Sequence, residues 1–261
     1  MSSSQEKESQ PSTNDIKKIL IFMKHGEKLI KTGVPPKCGK FDSELTSLGI
    51  DQSFRAGQKL LDQLKKYHFE NISPSEIHII SSPFMLTLQT TAHYLRGIME
   101  HKNFFGDSPK IADLYNISID YDIREIISGH KLKGEGVPKD YLNFLFNPKY
   151  KDFDEELKKL NTNVVSKYEY PVGIERGGEY SKRCARFVDE QLTTFDKNNN
   201  YKVIVVVSHA GPLQALMKKV GLKIRDYHEI IVSQQYFFDI SDGVENAKFL
   251  EKVGSDWNDW N

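Results

Sequence analysis

"KKILIFMKHGEK" (Lys17–Lys28) is a run of Ile, Leu, Phe and Met that stops abruptly at Lys-His-Gly-Glu. A short unbroken apolar run predicts a buried strand. Charge gathered at the end of such a strand either meets water or has a chemical task. A second run, "YKVIVVVSHAG" (Tyr201–Gly211), repeats the pattern more strongly. Its continuous Val/Ile stretch predicts burial on both faces, as in a parallel sheet covered by helices. The two runs end in His25 and His209, each followed closely by glycine.

Outward from these runs, strands and helices alternate. "ELTSLGIDQSFRAGQKLLDQLKKY" predicts a helix through Leu48, Phe54, Leu60, Leu61 and Leu64, with Thr46 as its cap. "EIHIISS" (Glu76–Ser82) predicts a strand, and Pro83 suits the first turn of a helix through "PFMLTLQTTAHYLRGIM". "ISIDYDI" is a weaker third strand. Residues 128–175 are polar and Gly/Pro-punctuated, with short helical pieces in "DYLNFLF" and "DFDEELKKL". They are expected to form an insertion over one end of the sheet. An amphipathic helix is predicted from Glu179 to Phe195, another in "PLQALMKKVG", and a terminal hairpin from "HEIIVSQQYFFDI" and "AKFLEKV". This order predicts an α/β domain, a three-layer α/β/α sandwich with a mostly parallel central sheet, over residues 16–261. The polar stretch 1–15 is expected to be a disordered tail.

Composition narrows the partners. Lys+Arg and Asp+Glu each number 36 among 261 residues, so the formal net charge is zero. Nothing global points to nucleic acid or to an acidic membrane, and each apolar run is broken by charge well short of membrane-spanning length. Two cysteines, Cys38 and Cys184, form no disulfide framework. With no apolar leader at the start, the expectation is a cytoplasmic or other reducing compartment. The eight histidines show no paired ligand spacing, so neither a metal nor another cofactor is expected.

In an open parallel sheet, ligands bind beyond the carboxyl ends of the strands. Glycine after a strand-end histidine allows a tight turn and close approach of a ligand. "HIISSP" ends a third strand with two hydroxyls and opens a helix, whose N-terminus favours an anion.

The set "KHGEK", "LTSLGIDQSFRAG", "SSPFMLTLQTTA", "REIISG" and "VVVSHAGPL" resembles the first branch of the histidine phosphatase superfamily, the phosphoglycerate mutase-like group, over roughly residues 17–220. The Ser-Ser-Pro…Gln-Thr block is most similar to its small-phosphatase members. The resemblance implies that His25 attacks phosphorus, giving a phosphohistidine that water later releases. It implies that His209 contacts the phosphoryl oxygens and that Glu125 protonates the leaving oxygen and then activates water. Glu27 and Glu135 remain open alternatives for the acid. Lys24, Lys28 and Ser82 fall at phosphate-binding positions, and Glu179 at a substrate-binding one.

The sequence also departs from the family's pattern. Lys24 and Lys28 stand where arginines are usual, and Leu86 replaces the arginine of Ser-Pro-x-x-Arg. Lysine loses the planar fork that matches a phosphate edge. Leucine loses charge and donor together, a change that typically costs about 3–4 kcal/mol of transition-state stabilisation. Lys31, Thr87, Arg124 and Arg183 are candidate replacement donors.

The resemblance therefore implies weak phosphate monoester hydrolysis, acting on a phosphorylated small molecule or a phosphoprotein. The alternative is a catalytically degenerate relative, a pseudoenzyme serving as a structural or binding subunit of an assembly. A cofactor-independent mutase is a third reading. "GVPPKCGKF" is expected to be a flexible loop over the site, Cys184 a core residue, Cys38 exposed, and Trp257 and Trp260 docked on the domain.

Overall fold

The computed structural model describes residues 16–39, 41–101, 116–126, 142–169, 175 and 178–254. Seven strands form one sheet in the order β4-β3-β2-β5-β1-β6-β7. They are β1 Ile19–Lys24, β2 Ile77–Ser81, β3 Asn116–Ile119, β4 Asn161–Val164, β5 Val203–Ser208, β6 Gln235–Asp239 and β7 Lys248–Val253. The strands from β4 to β1 run parallel, while β6 and β7 form an antiparallel hairpin at one edge. The predicted architecture is the one observed.

Burial on both faces follows from the alternation of side chains along each strand. Ile19, Ile21 and Met23 of β1, with Val203, Val205 and Val207 of β5, face one core. Leu20, Phe22, Ile204 and Val206 face the other. The first core is closed by helices α1 (Ser47–Lys66) and α2 (Met85–Met99). The second is closed by α5 (Glu179–Arg186) with the π turn Phe187–Leu192 that continues it, and by α7 (Ala210–Lys219). Between them, α6 (Thr193–Asp196) completes the predicted 179–195 helix. Each fully buried side chain such as Phe22 or Leu60 contributes about 1.5–3 kcal/mol relative to exposure.

Helix α1 starts where expected, with the Thr46 hydroxyl accepting from Gly49 N at 2.9 Å. Leu48 is a correction. It lies outside the buried stripe, 41% exposed, because the core-facing positions of the first turns are taken by Gly49, Gln52 and Ser53. α1 and α2 cross at two glycines: a Cβ on Gly57 would lie 2.0 Å from Tyr94 O, and one on Gly97 would lie 1.9 Å from Phe54 O. Only glycine permits backbones to pack this closely.

Within the 128–175 excursion, the described part holds the short helices α3 (Asn143–Phe146) and α4 (Glu155–Lys159) and the edge strand β4. β4 pairs with β3 in the register Asn116↔Asn161, so this segment extends the sheet as well as packing beside α2. Its Asn-Thr-Asn-Val sequence lacks apolar alternation because the edge it forms is largely exposed. Glu135, the 1–15 tail, Trp257 and Trp260 lie outside the described residues.

Candidate active site

The register of β1 against β5 builds the site. Lys24 pairs with Ser208, so the two residues that follow, His25 and His209, emerge side by side at the carboxyl ends of adjacent parallel strands. His25 N donates to Ser208 O at 3.1 Å. The imidazole centroids are 5.2 Å apart and the rings are tilted by 57°. β2 lies on the other side of β5, with Ser81 opposite Val207, which sets Ser82 beside His209. The Ser82 hydroxyl and His209 Nε2 are 2.9 Å apart.

His25 Nδ1 lies 2.7 Å from Gly26 O. A carbonyl can only accept, so Nδ1 carries the proton and Nε2 keeps its lone pair. Burial, followed by the proximity of His209, pushes the His25 pKa well below the usual imidazole value, although the bond to Gly26 opposes this. The neutral ring with a bare Nε2 is the nucleophilic form.

The glycines after the histidines serve packing. Gly26 has no positive φ. A Cβ there would lie 2.4 Å from Gly49 O, so Gly26 lets the N-terminus of α1 approach the His25 loop. A Cβ on Gly211 would meet Ile126 Cδ1 at 2.7 Å.

A cavity of about 720 Å³ opens over His25. Lys24, Lys28, Lys31, Glu27 and Glu125 line it, together with Ala210 and Gly211 from the first turn of α7. Among the described residues no arginine lines it. His209 is fully buried behind His25, with the edge of Phe84 against its ring at 5.3 Å. Its Nδ1 lies 3.8 Å from Glu125 Oε2, too long for a hydrogen bond but close enough for charge coupling.

Lys24 Nζ donates to Ile230 O at 2.7 Å. Burial, reinforced by the charges of Lys31 and Lys28, lowers its pKa to about 8. Glu27 is braced: its Oε2 accepts from Thr46 Oγ1 at 2.8 Å and its N–H donates to Gln52 Oε1 at 2.8 Å.

The Ser-Ser-Pro segment departs from expectation. Ser82 is buried, does not line the cavity, and spends its hydroxyl on His209. α2 begins at Met85, with Phe84 as its cap, so Pro83 precedes the helix. The anion at this helix N-terminus is the protein's own Asp42, which accepts from Met85 N at 2.6 Å and from Asn143 N at 2.7 Å. Burial pushes its carboxyl up to about 7 against the pull of these donors. Leu86 is 6% exposed, and Thr87 Oγ1 donates to Ser82 O and Phe84 O.

Of the other proposed donors, Lys31 lines the cavity, whereas Arg124 and Arg183 are buried on Glu175. Arg183 Nε and Nη2 reach the two Glu175 oxygens at 2.6 and 3.1 Å. Arg183 Nη2 lies 3.5 Å from Glu125 O, so the network anchors the segment that carries Glu125. The sequence separations, 51 residues from Arg124 to Glu175 and 58 from Arg183 to Glu125, hide this arrangement from local pattern reading. Glu179 does not line the cavity; its neighbour Tyr180 does. Cys38 corrects an expectation: it is 4% exposed, tied through its N–H to Glu44 and through its carbonyl to Asn143, and burial raises its thiol pKa. Among the described residues there is no cluster of His, Cys, Asp or Glu suited to a metal ion, and no helix long and apolar enough to cross a membrane.

Strand order and layering give the chain the phosphoglycerate mutase-like α/β fold. Among solved structures it is similar to the ecdysone phosphate phosphatase of Bombix mori, determined in complex with tungstate. The TM-score is 0.62 at 13% identity, covering 90% of this chain and 92% of that one. It is also similar to an Escherichia coli protein assigned as an alpha-ribazole-5'-P phosphatase, with a TM-score of 0.50 at 17% identity over 91% of this chain and 97% of that one. No protein family and no curated protein matches the chain by sequence.

Proposed function

We propose that the protein hydrolyses phosphate monoesters through a phosphohistidine on His25. The observation that carries this reading is the His25 ring, held with Nε2 bare in the lining of a cavity edged by three lysines and two carboxylates. Nε2 attacks phosphorus as the ester P–O bond breaks. The leaving oxygen takes that electron pair and a proton from Glu125. Water then attacks phosphorus and gives a proton to Glu125, and the P–N pair returns to Nε2 as inorganic phosphate departs. Lys24, Lys28, Lys31 and the N-terminus of α7 supply the positive field that phosphoryl transfer requires. His209, packed 5.2 Å from the His25 ring and bonded to Ser82, backs the nucleophile.

Lysines in place of an arginine fork make the expected turnover slow. Leu86, apolar and buried, favours a second reading in which the pocket binds a phosphorylated partner without turning it over. Release of phosphate from p-nitrophenyl phosphate, compared between the protein and His25→Ala, separates the two. A rate equal to that of the variant from acidic to mildly basic pH would reject catalysis and favour the binding reading.

A further inference from the structure

The cavity is lined by two chemically distinct sets of side chains. One is Lys24, Lys28, Lys31 and His25; the other is Ile126, Tyr180 and residues of the segment from Tyr227 to Val232. Within that segment Tyr227 is 46% exposed and Ile231 is 37% exposed, and the Tyr227 and His228 rings lie 4.0 Å apart. Large apolar side chains left open at the mouth of a cavity carry a hydration cost that a bound apolar group would remove.

Two amide side chains of the lining make bonds to the protein's own backbone. Gln214 Nε2 donates to Ile224 O and Arg225 O at 3.0 and 3.3 Å. Gln52 Oε1, nearer the lysines, accepts from Glu27 N. A sugar or other polyol needs polar groups to satisfy its hydroxyls, and each of these amides already commits one atom to backbone.

The Tyr227–Val232 segment is fastened to the strand end that carries His25. Lys24 Nζ holds Ile230 O, and Ser233 N donates to the carbonyls of Lys24 and His25 at 3.0 and 3.3 Å. The left-handed Ser233 (φ 54°) turns the chain from this wall into β6. The volume of about 720 Å³ lies in the range that encloses a drug-sized molecule and far exceeds one phosphate group.

The geometry points to a specificity wall, formed by Tyr227, Ile231, Ile126 and Tyr180, that selects small-molecule phosphate esters whose alcohol is a bulky apolar ring system. This inference rests on the reading of His25 as the phosphoryl acceptor and names its substrate class.

The test compares kcat/KM for naphthyl phosphate and phenyl phosphate, whose leaving phenols are closely matched in acidity. We expect a ratio of about tenfold or more in favour of naphthyl phosphate, as hydrophobic pockets discriminate by roughly 10–200-fold per group. Ile231→Asp and Tyr227→Ser should each lower that ratio severalfold, while Phe249→Ser, on exposed β7, should leave it unchanged. A ratio near one, or one indifferent to both wall variants, overturns the wall. A tyrosine-phosphorylated peptide turned over faster than naphthyl phosphate overturns the small-molecule assignment. Turnover of no ester at all would overturn the catalytic reading instead. The wall is then judged by binding of naphthylmethyl phosphonate and methylphosphonate to the protein: preference for the naphthyl ligand upholds it, and equal affinities end it.

Discussion

The imidazoles of His25 and His209 face each other at 5.2 Å although 184 residues separate them, because β1 and β5 pair in parallel with Lys24 opposite Ser208. Of these two, His25 lines the cavity and His209 does not. The first prediction follows from that asymmetry. His25→Ala should abolish turnover, by roughly 10³-fold or more, and remove any acid-labile phosphoryl adduct trapped by rapid quenching. An adduct that persists in the variant would place the nucleophile elsewhere.

Glu125 stands at the cavity with 22% of its side chain exposed, and the Arg183–Glu175 network anchors its segment. A general acid matters most when the leaving alcohol is poor. Glu125→Gln should therefore slow an alkyl phosphate by roughly 10²–10⁴-fold while slowing p-nitrophenyl phosphate much less. Equal losses on both esters would assign the acid to another group, with braced Glu27 the next to test.

Lys24 gives a pH dependence. Its folded pKa, about 8, lies below the ordinary lysine value of 10.5. Below pH 8 the ammonium attracts the substrate's phosphate; as pH rises through about 8 it is neutralised, and KM should climb. Lys24→Met should raise KM at neutral pH and flatten this climb. The stability sign is the reverse. The folded state holds this proton less tightly than the unfolded chain, so the cost of burying the charge is present below pH 8. That cost is relieved between about 8 and 10.5, and the contribution of this group to stability rises across that window. Initial-rate kinetics and denaturant midpoints at stepped pH measure the two effects separately.

Leu86 occupies the position where a phosphate-binding arginine would be usual in the resembling family. If the lysines only partly replace that donor, Leu86→Arg should raise kcat/KM by about 10²-fold. A variant that folds normally, by circular dichroism and melting, yet shows unchanged kinetics would mean that this helix turn does not face the phosphate. The occupation of the α2 N-terminus by Asp42 gives that outcome a physical basis.

Gly57 tests the scaffold. A methyl group there would collide with Tyr94 O, a backbone atom with little room to yield. Gly57→Ala should destabilise the protein by about 1–3 kcal/mol, despite the better helix propensity of alanine. Urea unfolding measures this directly, and an unchanged midpoint would show that α1 and α2 can separate freely.

The layered fold was legible because it depends on local pattern. Unbroken Val/Ile runs must be buried on both faces, helical spacing in Leu60, Leu61 and Leu64 must face a core, and the order of these pieces leaves few topologies. His25 and His209 were legible for the same reason, as polar residues closing apolar strands. β4 was not, since an exposed edge strand needs no apolar alternation.

What the sequence determined by itself was the α/β layering and the placing of two histidines at the ends of buried strands, because burial and periodicity are local demands. What only the tertiary structure decided was the use of the polar groups around them. Ser82 turns to His209, Asp42 takes the helix N-terminus, Arg124 and Arg183 close on Glu175, and the Tyr227–Val232 segment lines the cavity. Each depends on which distant partner lies within about 3 Å, a matter of strand register and helix packing that side-chain identity does not encode.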